Sequence, residues 1–140
     1  MTTVRTSIEL HDSKLAEVLS QGSSVDVVLA PAYIHRWETK DGCRVGCGVH
    51  QTARFRIEGG TISGRSSTLP CAISDGELAT DGCTYRNLVP TALGASGSIQ
   101  LRLELSDGKS MTVRGNRLTI ALEGDPVHVE DLPPDLDPGN

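Results

Sequence analysis

The stretch from Ile99 to Leu122 constrains this chain more than any other. Ile99, Leu101, Leu103 and Leu105 alternate with Gln100, Arg102 and Glu104. A strand turns successive side chains to opposite faces, so a period of two sends the first set to a core and the second to water. Ser106-Asp107-Gly108-Lys109 follows as a tight-turn sequence, with Gly108 free to take positive φ. Met111 and Val113 then alternate, Gly115-Asn116 predicts a second turn, and Leu118, Ile120 and Leu122 make a third apolar row. The expectation is a C-terminal β-meander.

The first half adds strands of less regular pattern. Val4–Leu10 has strand alternation. From Asp12 to Leu19 two readings stand: a short helix capped by Asp12, with Leu15, Val18 and Leu19 on one side, or another strand. Val25-Asp26-Val27-Val28-Leu29-Ala30 is short, β-branched and apolar, as a central strand would be, with Pro31 at its end. Tyr33–Glu38 either continues that strand beyond a bend or forms a new one. Val49, Ala53, Phe55 and Ile57 share a face of a further strand. Asp41-Gly42, Asp75-Gly76, Asp81-Gly82 and Asp107-Gly108 are turn signals. Residues 61–97 are the least legible, and Gly94–Gly97 is expected to link loosely into the meander. With 140 residues, the chain is one domain's worth of sequence. The reading is all-β: a single antiparallel β-sandwich or flattened β-barrel over residues 1–130, with a Pro- and Asp-rich flexible tail over 131–140.

The chain resembles a family of small uncharacterised bacterial β-rich proteins. The resemblance rests on the order of His11-Asp12-Ser13 after an opening strand, Ala32-Tyr33-Ile34-His35, Asn87-Leu88-Val89-Pro90, the meander, and Val127-His128-Val129-Glu130. It implies a β fold and carries no activity.

The formal charge of -5 argues against a nonspecific nucleic-acid binder, which needs a basic surface. No apolar run approaches 18 residues, and the opening MTTVRTSIELHD has no signal-peptide pattern, so no membrane span and a cytoplasmic location are expected. No G-x-S-x-G elbow, G-x-x-x-x-G-K-[ST] loop or H-E-x-x-H pair is present, and no cofactor is expected. The glycine- and serine-rich run from Gly59 to Ser67 lacks the lysine of a phosphate loop.

Candidate site residues form two groups. Tyr33, His35 and Trp37 share a strand face, and His50 and Arg54 sit on a strand able to pair with it, giving a ligand or partner surface. Cys43, Cys47, Cys71 and Cys83 form an even set whose spacing matches zinc knuckles poorly; free, partly buried thiols are the plainer reading. His11 with Asp12, and His128 with Glu130, would supply acid–base groups if the two ends of the chain met. Three functions follow: a binding or assembly module acting through a sheet face or edge, with a two-fold homodimer as one assembly; a small enzyme with a pocket around His35, His50 and Cys47; and a structural protein stabilised by zinc.

Overall fold

The computed structural model describes residues 2–64 and 68–137. Among them ten strands follow in chain order: β1 (Thr2–Glu9), β2 (Lys14–Gln21), β3 (Ser24–Lys40), β4 (Cys43–Glu58), β5 (Thr61–Gly64), β6 (Cys71–Ala79), β7 (Thr84–Arg86), β8 (Leu88–Pro90), β9 (Ala95–Leu105) and β10 (Ser110–Leu132). Every pairing is antiparallel, and the sheet runs β2-β6-β9-β10-β4-β3-β1-β8. Because β3 also pairs with β2, six of these strands close a ring. The protein is all-β, a flattened barrel at this end. Its long strands β3, β4 and β10 run on past the ring and, with β1, form an open sheet. The seam between β2 and β6 is short: Lys14 meets Ala72, Leu15 meets Cys71, and the Ile73 N–H donates to the Ser13 carbonyl. No helix among the described residues is long and apolar enough to cross a membrane.

The alternation read from sequence reappears as burial. Ile99, Leu101, Leu103, Leu105, Met111 and Val113 are all buried, as are Phe55 and Ile57. Burying a side chain of this size contributes about 1.5–3 kcal/mol. Turn chemistry also holds at two hairpins. Gly108 sits at φ 88° between β9 and β10. The β3–β4 hairpin turns on Asp41 (φ 53°) and Gly42 (φ 80°), the paired positive φ values that a two-residue hairpin loop needs.

Four expectations need correction. The second meander turn at Gly115-Asn116 is a bulge inside one continuous strand, β10, where the register shifts between Gly115 and Arg117. The apolar phase moves there from odd positions (Met111, Val113) to even ones (Leu118, Ile120), as it would across a turn. Asp75-Gly76 is likewise a bulge within β6, not a turn. Ala95–Gly97, read as a loose link, already belongs to β9. No short helix forms over Leu15–Leu19: the segment is β2, and only a single 3-10 turn, Leu10–Asp12, precedes it. Pairing with β3 satisfies a ladder of backbone groups that two isolated helical turns could not.

That 3-10 turn solves a local problem. β1 pairs with the second half of β3 and β2 with the first half, and between them β3 bulges, with a register shift between Leu29 and Ala32. The buried hydroxyl of Ser13 fills the gap: it donates to the Glu9 carbonyl (2.8 Å) and accepts from the Tyr33 N–H (2.9 Å). Asn87 fastens the same turn from the other side, accepting from the Leu10 N–H at its carbonyl and from the His11 N–H at Oδ1. Ser13→Ala should therefore cost about 1–3 kcal/mol in urea unfolding, the penalty of a buried N–H left without an acceptor. A loss near zero would mean that Tyr33 finds another partner.

Candidate functional site

The bulge in β3 decides what the outer face carries. Val25, Val27 and Leu29 point into the core; beyond the bulge the inward residues are Ala32 and Ile34. Tyr33, His35 and Trp37 are thereby turned outward, onto the open sheet. Across from them on β4 stand His50, Gly48 and Gly46, in that order. The space a side chain would take at Gly46 is filled by the Trp37 indole, and at Gly48 by the Tyr33 phenol. The aromatic rings lie over the glycines, which is why Trp37 is only 3% exposed and Tyr33 7%. In the stripe read as a ligand or partner surface, Tyr33 and Trp37 are covered. Gly48→Ala would drive a methyl group into the Tyr33 ring, an overpacking expected to cost about 1–3 kcal/mol in chemical denaturation; unchanged stability would show that the phenol can swing clear.

The chain end lies across the same face. Leu132, buried, stands opposite Gly46, and a 3-10 turn, Pro134–Leu136, follows. The fully enclosed Asp137 carboxylate accepts from Arg5 (2.7 Å) on β1 and pairs with Arg44 (3.1 Å) on β4. The segment read as a tail thus packs against the body as far as Asp137.

Around Tyr33 the two ends of the chain do meet. Its ring stands edge-on to His35 (5.5 Å) and to His50 (6.0 Å). Its hydroxyl donates to Glu130 Oε2 at 2.6 Å. Glu9 Oε2 lies 3.6 Å from His35 Nε2. Burial pushes the Glu9 carboxyl up to about 7, with a hydrogen bond to Asp12 and the charges of Asp12 and Glu130 adding to it. Burial also pushes His35 down, against the pull of Asp12 and Glu130, and pushes the Tyr33 phenol up. Among the described residues, His35 Nδ1 and Trp37 Nε1 are buried without a hydrogen-bond partner.

Arg54 stands apart from this group. With Arg56 it holds the buried Asp26 carboxylate: Arg56 through two bonds (2.8 and 2.9 Å), Arg54 through one (2.9 Å). Arg54 also donates to Glu123 (2.9 Å). The Arg56 hydrogen bonds, ahead of those from Arg54, keep Asp26 below the usual carboxylate range despite burial. Between the two groups the β3 bulge faces a second bulge, at residues 124–126 of β10. There a cavity of about 280 Å³ is lined by His50, Gln51, Glu123, Asp125 and Val127, among others. Gln51 Nε2 donates to the Gly124 carbonyl across it (2.7 Å).

The pocket of His35, His50 and Cys47 does not assemble. Cys47 and His50 are three residues apart on a strand, which sets them on opposite faces; Cys47 packs against the core while His50 meets Tyr33 outside. Nor do the four cysteines converge. Cys43 is exposed beside the β3–β4 hairpin, Cys71 opens β6 near Ser106, and Cys83 is exposed ahead of β7. Among the described residues no group of three or more His, Cys, Asp or Glu is arranged to hold a metal. His11 pairs with Asp12 and His128 with Asp131, both near the surface. Arg65, Ser66 and Ser67 of the glycine- and serine-rich run lie outside the described residues. Sequence reasoning passed over Glu9, Glu123 and Asp125, which carry no motif; Gly46 and Gly48, alternating within a strand with no turn to serve, were the one available signal of rings lying above them.

No protein-family model, no curated protein and no solved structure matches this chain. The geometry alone carries the functional reading.

Glu9 also sets a pH dependence. Its folded pKa of about 7 exceeds the ordinary 4.5, so its contribution to stability is complete below pH 4.5 and is lost as pH rises through 7. Glu9→Gln should therefore stabilise the protein at pH 8 by on the order of 1–2 kcal/mol and leave it unchanged at pH 4. Thermal unfolding across that range reads it; equal effects at both pH values would remove the buried-proton account.

Proposed function

We propose that this protein is a binding module that takes an extended chain onto the free edge of β10. The observation supporting this is the pairing of that strand. β9 covers it only as far as Leu118, and from Thr119 to Leu132 it is paired with β4 on one side and with nothing on the other, among the described residues. Such an edge presents a row of unpaired N–H and C=O groups, a template for a further strand. Val127 (63% exposed) and Val129 (44%) give it apolar contacts. The covered Tyr33 and Trp37 serve as the rigid backing of the sheet. A second copy of this chain is one extended strand that the edge would accept, giving a two-fold dimer. The four cysteines, all free, fit a reducing compartment such as the cytoplasm.

Amide hydrogen exchange tests the reading. In the free protein, every second amide of Thr119–Leu132 should exchange quickly, while those bonded to β4 are protected. A peptide selected from a random displayed library for binding should slow the fast set. Protection appearing elsewhere, with none on β10, would defeat the proposal.

A further inference from the structure

The edge is acidic, and its chemistry names the kind of strand it takes. This inference rests on the proposed edge binding. Between Thr119 and Leu132 the chain carries Glu123, Asp125, Glu130 and Asp131 against one histidine, His128, and no lysine or arginine. Glu123 and Asp125 line the cavity between the two bulges, together with His50 and Val127. Arg54 donates to both oxygens of Glu123 (2.9 and 3.5 Å). Glu130, nearer the end of the strand, accepts from the neutral Tyr33 phenol, and Glu9 and Asp12 lie close behind it. Bulges turn side chains and mark sites where pairing is redirected. Here two of them leave a recess about 280 Å³ in volume over β4, with β10 between it and the open ladder.

We infer that the occupant of the β10 edge is an extended basic segment of another protein, which pairs with the strand and places a lysine or arginine side chain in the recess between the bulges. The backbone ladder supplies attachment, and the carboxylates select the charge and speed the encounter. A second copy of this chain fits less well. It would bring the same acidic run alongside itself, and the bulge with Pro126 would interrupt both ladders.

The test uses the whole chain and three capped synthetic peptides: one alternating valine and lysine, one alternating valine and glutamate, and a copy of the first with alternate backbone nitrogens methylated. Binding is read by fluorescence anisotropy at low salt. The valine–lysine peptide should bind about tenfold or more tightly than the valine–glutamate peptide. The double variant Glu123→Gln, Asp125→Asn should lose about fivefold of that affinity, while Glu17→Gln, an exposed carboxylate on β2, should lose none. Equal binding of the two charge types overturns the basic partner and leaves the open edge standing. Full binding of the methylated peptide overturns edge pairing itself. Failure of every peptide to bind overturns both, and sedimentation showing a dimer whose contact protects the β10 amides overturns the choice of occupant. Circular dichroism of each variant confirms that the fold is retained.

Discussion

Everything on the outer face depends on one interruption: the bulge of β3 at Ala30-Pro31, held by the Ser13 hydroxyl. A strand with no bulge would keep odd-numbered residues on one side throughout, and Val25 and Leu29 already commit that side to the core. Tyr33, His35 and Trp37 would then compete for interior volume that Ile8, Ile34 and Val49 fill. The extra residue reverses the phase, sends the three rings outward, and leaves the β1 and β2 ladders to meet end to end. A hydroxyl that both donates and accepts is suited to that gap, since the bulge releases one N–H and the 3-10 turn one carbonyl.

Once the rings face outward, their burial must come from the sheet itself. The glycines of β4 give them a floor, and the chain end, fastened by Arg5 and Arg44 on Asp137, runs across the same face. The acidic groups gather beside this lid. Glu9 keeps its proton to about pH 7 because it is shielded from water and already has two carboxylates as neighbours. Glu130, two residues before Leu132, stands where the covered wall gives way to the open edge. One face of the molecule thus joins a rigid aromatic backing to a strand with unused hydrogen-bonding capacity.

Much of the fold was legible, and the illegible part has a common cause. Alternation from Ile99 to Leu105 and from Val49 to Ile57 predicted strands and their buried faces. Asp41-Gly42 and Asp107-Gly108 predicted hairpins from positive φ. The errors at Gly115 and Gly76 both come from bulges. A bulge and a turn each reverse the apolar phase and each favour glycine, so a single sequence does not separate them; only the partner strand does. The candidate site was read in part for the same reason. Tyr33, His35 and His50 were placed together from strand geometry. Cys47 was grouped with His50 by nearness in sequence, although a separation of three puts them on opposite faces. The acidic recess depends on two bulges facing each other, which no local pattern encodes.

The short seam between β2 and β6 has a consequence of its own. Every other stave of the barrel is joined to its neighbours over a longer run, whereas this joint rests on two residue pairs and one flanking bond from Ile73 to Ser13. A wall so latched gives way at the latch first. Parting it would uncover Leu15 and Ile73 without disturbing the long hairpin of β3 and β4, so the molecule has a built-in line of rupture. Heat would find that line before any other joint of the barrel.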